Sequence, residues 1–230
     1  MRNRILIVAA GAATLASGAL LPAAGAAGAT GDGSDAVPMC GRSASYVVSH
    51  RDVDGDGRRD TIKSGGSKGQ TVIVKINGGE TLRRSIKGSF VEALGASRID
   101  GRRGAEIVVA DGFSGGQNGA RMDARVLTYR KHHLYLLAAP TGGRQWRSHS
   151  MPGIESGWSK HRAHNRRYLT HRVVRRVDGG KRFTGRAVDF RWQDGDWTRA
   201  GSRKLHFPSR KAANRIVGWR MQGVEYWAGC

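Results

Sequence analysis

Cysteine is scarce in this chain: two in 230 residues, Cys40 and Cys230. That excludes a multi-bridge disulfide scaffold and a cysteine-built zinc site. Carboxylates are scarce as well, 18 Asp and Glu against 39 Lys and Arg, for a formal net charge of +21. So basic a chain is poorly suited to cationic partners and favours anionic ones: nucleic acid, anionic lipid or cell-wall polymer. Arginine-, alanine- and glycine-rich coding bias is the bland source of the same excess. Long apolar runs are also lacking. The most extended, residues 5–21, mixes Ala, Gly, Ser and Thr with its larger residues, too weak a composition for a stable span.

That run has another reading. Arg2 and Arg4 precede it, and Ala24-Gly25-Ala26 and Ala27-Gly28-Ala29 follow as small-residue cleavage sites. The pattern predicts a secretory signal peptide over residues 1–29 and a secreted, extracellular protein. Cys40 follows Val-Pro-Met, which is not a lipoprotein context. Export permits a disulfide, and an even count permits an intramolecular one, Cys40 to Cys230, that would tie the ends of the domain. Two free or intermolecular thiols are the alternative.

About 200 residues remain, enough for one sizeable domain or two small ones. Their charge is uneven. Residues 30–143 carry a net +5 and residues 144–230 a net +14. In the second region, on the strand pair Arg172/Arg176 and Arg186/Arg191, alternation is expected to place several guanidiniums on a solvent face, a patch for a polyanion.

The most informative stretch is Asp52-Val53-Asp54-Gly55-Asp56-Gly57-Arg58-Arg59-Asp60. Carboxylates fall at positions 1, 3, 5 and 9, with glycine at 6. Such a loop suits a hard cation that takes six to eight oxygens. Gly57 provides the sharp turn and the Arg58 carbonyl a backbone oxygen. An EF-hand would need a Glu at position 12, where Lys63 stands, and apolar helical stripes on both sides, which are absent. A solvated acidic turn is the plain alternative.

From Val47 through the loop to Asp60-Thr61-Ile62, the residues resemble the calcium loop of FG-GAP or VCBS-type repeats. The resemblance covers about twenty residues. It implies that the loop joins two β-strands and that Ca2+ is held by Asp52, Asp54, Asp56 and Asp60, with the Arg58 carbonyl. It also implies a binding or scaffolding role at the cell surface.

The surrounding pattern predicts an all-β fold. Residues 46–48, the exit from the loop, 71–77 and 81–86 read as four strands of one blade, with Asn77-Gly78-Gly79 as a hairpin signal. Residues 99–109 look like a degraded copy of the loop and its exit strand, 44 residues on from Gly57 to Gly101. Two units cannot close a propeller, so they are expected to pack against the C-terminal part. After a lead-in over 30–43, the repeat region spans 44–139. Residues 140–165 read as an irregular basic segment. An antiparallel meander follows over 168–177, 183–193 and 197–207, then one short helix within 209–217 and a closing strand over 223–227.

Two enzyme-like signals are weighed against this. Gly112-Phe113-Ser114-Gly115-Gly116 fits G-x-S-x-G, but the breakers Gln117-Asn118-Gly119 follow where a helix is required. A Gly-rich turn is the expected outcome. His161 and His164 lack a nearby cysteine or acid to complete a zinc set. The reading is therefore a non-enzymatic, calcium-stabilised binding or scaffolding protein with an anionic partner. The alternatives are an exported serine hydrolase using Ser114, or a passive structural protein of the envelope.

Overall fold

The computed structural model describes residues 45–65, 70–88, 91–116 and 119–224. Residues 1–29, Cys40 and Cys230 lie outside these. The fold is all-β, and among the described residues there is one short α-helix.

Period-two alternation builds the first unit. Strands β1 (Tyr46–Arg51), β2 (Asp60–Gly65), β3 (Thr71–Lys75) and β4 (Thr81–Ser85) form a four-stranded antiparallel meander in sequence order. Ile62, Val72 and Val74 point inward and are fully buried, while Ile73 between them is not. The β3–β4 turn closes where Asn77-Gly78 predicted, with Gly78 at φ +77°.

The second unit repeats that meander with β5 (Glu92–Ser97), β6 (Glu106–Gly116), β7 (Gly119–Arg130) and β8 (His133–Leu137). Chain does not break there. Strands β9 (Trp146–Met151), β10 (Ile154–Ala163), β11 (Arg166–Arg176), β12 (Phe183–Gln193) and β13 (Asp196–Phe207) extend the same sheet in the order β13-β12-β11-β10-β9-β7-β6-β5. Strand β7 holds β8 along one stretch (126–130) and β9 along another (120–124). Residues on both sides of Pro140 therefore share one sheet.

Strand β6 shows why the core sits where it does. Ile107 and Val109 face the first unit, and Val108 and Ala110 face the opposite side. One face joins Val53, Ile62, Val72 and Val74; the other joins Trp146, Trp158 and Trp219. The three tryptophans are fully buried, with ring centroids 4.9 to 6.1 Å apart. They fill core rather than present stacking surfaces, and truncating one costs about 3–5 kcal/mol.

The C-terminal meander forms as expected, with Asp194 and Gly195 both at positive φ between β12 and β13. Helix α1 (Arg210–Ala213) begins at Ser209, whose hydroxyl accepts the Ala212 N–H at 3.2 Å, and continues into a 3-10 turn, Asn214–Ile216. Ala213 and Ile216 pack on Val174 and Phe183.

Several expectations are corrected. Residues 140–165 are not irregular: they hold β9 and β10. Trp146 and Ser148 face the core with Arg147 exposed between them, an alternation masked by the basic residues. His164 and Asn165, at φ +48° and +59°, make the two-residue turn to β11. Residues 112–116 are strand, not turn, because β6 stays paired with β7 out to Gly116↔Gly119. The strand near the end is β14 (Gly218–Arg220), parallel to β10; of the predicted 223–227, Val224 makes a single bridge to Gly95, and 225–227 lie outside the described residues. Finally, three of the four arginines of that strand pair share a face and Arg186 does not. Arg172 pairs with Ala187 and Val173 with Arg186, so Arg186 lies across the sheet from Arg172, Arg176 and Arg191.

Candidate metal centre

The two units begin with matching hairpins, offset by 46 residues rather than 44. Arg51↔Asp60 closes the first, Ser97↔Glu106 the second, and each carries an eight-residue loop. The bulges correspond too, at Val48 and Leu94. In the first loop Asp60 is buried, and its Oδ2 accepts the Val53 N–H at 2.7 Å. In the second, buried Glu106 accepts the Ile99 N–H, also seven residues back, at 2.6 Å. Asp54 accepts the Asp56 N–H at 3.0 Å, and Asp100 the Arg102 N–H at 2.8 Å. Gly55 and Gly101 both take positive φ, +88° and +79°, which a side chain would oppose. The loops touch through Ala105 N–H donating to the Asp52 carbonyl at 2.7 Å.

Asp52, Asp54 and Asp60 converge, each offering a carboxylate oxygen within 4.8 Å of the others. Asp52 is fixed by the Gly55 and Gly57 N–H groups at 2.7 and 3.2 Å, and Asp60 also by the Asn77 N–H at 2.9 Å. Burial lifts the Asp54 carboxyl above its usual range; the Asp56 N–H opposes that, and the charges of Asp60, Asp56 and Asp52 add to it. Three carboxylates, all hard oxygen donors, fit a divalent cation of calcium type.

Asp56 is not brought into this cluster. Its carboxylate takes the Arg58 N–H and guanidinium at 2.7 Å, which holds it below the usual carboxylate range. Arg58, whose carbonyl the resemblance puts in the ligand set, meets the loop through that side chain.

The second loop carries its cation in the chain. Arg130, from β7, donates to Asp100 and lies 3.9 Å from Glu106. Burial first, and then the Asp100 charge, push the Glu106 carboxyl up to about 8. A guanidinium and a proton thus balance two carboxylates there. Sequence reading missed Arg130 because it comes from a distant strand. It also missed Arg98, which stands where Asp52 does at an offset of 46 and reaches Asp52 at 3.5 Å.

The other candidates resolve locally. Ser114 lies in β6 opposite Arg121, with strand continuing beyond it. No helix follows, and among the described residues it has no hydrogen bond to a histidine. His161 bonds Thr170 at 3.1 Å and stacks on Tyr168, while His164 is a turn residue. No helix among the described residues is long and apolar enough to cross a membrane. No family model, curated protein or solved structure matches this chain.

Proposed function

We propose that this chain is a non-enzymatic, calcium-stabilised binding or scaffolding protein of FG-GAP/VCBS type, exported to the cell surface and partnered by an anionic polymer. The observation that supports the reading most is the convergence of Asp52, Asp54 and Asp60 in a loop that joins two strands. Asp52, Asp54 and Asp60 would hold the ion, and its two positive charges relieve their mutual repulsion. Backbone N–H groups already orient all three, so little ordering is left for binding.

Thermal melting of the full chain in calcium and in chelator tests this. An ion that binds only the folded loop stabilises by mass action, about 2.7 kcal/mol at a hundredfold excess over its dissociation constant. A rise in Tm with calcium, reversed by chelator and absent in Asp52→Asn/Asp54→Asn, is expected. Superimposable curves in calcium and chelator would overturn the reading.

A further inference from the structure

Beside the metal loop runs a groove of about 610 Å³ between the first hairpin and the β10–β11 hairpin. Six cations line it: Arg51, Arg59, Arg98, Lys160, Arg162 and Arg167. Among the described residues the single acid on its wall is Asp52, and Arg98 is already paired with it at 3.5 Å. Among the described residues the other five form no ion pair. Lys160 is half-buried at the base, with Nζ donating to the Ser97 hydroxyl at 2.6 Å, and Ser97 in turn donating to the Gln222 carbonyl at 2.8 Å. Burial, followed by repulsion from Arg167, lowers the Lys160 ammonium from its usual value; the charge of Glu106 opposes this, and those of Arg51 and Arg98 add to it.

So many like charges converging on one concave surface repel one another and raise the local concentration of anions. Lys160 is held by the Ser97 hydroxyl, and among the described residues none of the five closes a hydrogen bond to a carboxylate. We infer that this groove binds a phosphate-bearing polyanion, its phosphates met by the arginine forks on the rim and by the Lys160 ammonium at the base. Guanidinium groups meet a phosphate through two parallel N–H bonds, and an ammonium meets it as a point charge. A chain of phosphates matches several separated cations at once, which a single small anion does not. This inference rests on the proposed anionic partner but moves its site from the C-terminal meander to the groove. It does not depend on the cation loop being occupied.

Fluorescence anisotropy with labelled polyphosphate, on the full chain in chelator at near-physiological salt, tests it. Log affinity should fall linearly with log salt concentration as counterions are released, by roughly 0.7 per phosphate contacted. Arg59→Glu/Arg162→Glu/Arg167→Glu, all exposed, should weaken binding at least tenfold and flatten that slope. Arg175→Glu/Arg186→Glu/Arg199→Glu, the same charge change on the meander, should alter affinity less than threefold. Equal losses in the two variants would overturn the site. Polyglutamate binding as tightly as polyphosphate would overturn the phosphate class, and orthophosphate competing at equal phosphate concentration would overturn the polymer. No binding by the unaltered chain would overturn the inference outright. Unaltered calcium melting shifts in both variants would keep the cation-loop reading standing while the groove fell, and would show that both variants fold.

Discussion

Asp60 and Glu106 occupy one position in two successive hairpins, each closing its loop on the N–H of the residue seven places before it. What surrounds them differs. Asp60 sits with two more aspartates, and Glu106 with one aspartate and an arginine from β7. The same backbone therefore supports two ways of neutralising buried acid.

Asp54 and Asp60 should separate binding from folding. Asp60 accepts two backbone N–H groups, so Asp60→Ala should destabilise even in chelator, by about 2–3 kcal/mol for the stranded donors. Asp54 accepts one near the surface and is repelled by its neighbours. Asp54→Asn should leave the chelated Tm unchanged or higher while removing the calcium shift. Differential scanning calorimetry with and without chelator reads both.

Glu106 should make stability fall toward alkaline pH. Its folded pKa of about 8 lies above the ordinary value of 4.5, so the native state keeps a proton that the unfolded chain has lost. Stability is then full below about 4.5 and drains away as pH rises to about 8. Glu106→Gln should flatten this portion of a urea-midpoint profile. An unchanged slope would show that Arg130 alone balances the pair.

His171 acts in the opposite direction. It stacks on Trp158 at 4.1 Å between centroids, and burial, followed by the charge of His149, lowers its pKa from 6.5 to about 4. The unfolded chain takes up the proton first as pH falls, so stability is lost between 6.5 and 4. The loss reaches about 3 kcal/mol at most. His171→Phe keeps a stacked ring without the titration. Its stability relative to the unaltered chain should rise as pH drops through that window.

Arg210 should anchor the helix. Its Nε donates to the fully buried Glu155 at 2.8 Å, across 55 residues of chain. Arg210→Ala removes the counter-charge of that carboxylate, leaving it the Ser150 hydroxyl, and should cost about 1–3 kcal/mol. Arg210→Ala/Glu155→Gln should recover part of it, and a double-mutant cycle by chemical denaturation measures the coupling.

Much of the architecture was legible in local pattern. The first four strands follow from Val72, Val74 and Ile76 and the Asn77-Gly78 turn, and the meander from its breakers at Asp178-Gly179 and Asp194-Gly195. Residues 140–165 were not legible, because Arg147, Lys160 and Arg162 interrupt what is otherwise alternation toward buried Trp146 and Trp158. The acidic loop was visible as a motif, but the sorting of its members was not. Spacing alone treats Asp56 like Asp54, whereas Arg58 draws Asp56 away. Arg98, Arg130 and the groove cations depend on which distant strands meet, and sequence proximity carries no sign of that.

The position of Arg130 has a consequence for the order in which the molecule becomes rigid. It rides on the strand that pairs with β6, so the second hairpin gains its counter-charge by short-range chain closure as that pairing forms. In the first hairpin Arg58 is taken by Asp56, and among the described residues the three clustered acids have one ion pair, Arg98 to Asp52 at 3.5 Å. In ion-depleted solvent, amide protons of Val53 and Asn77 should therefore exchange sooner than that of Ile99, so that local opening starts at the first hairpin and spares the second.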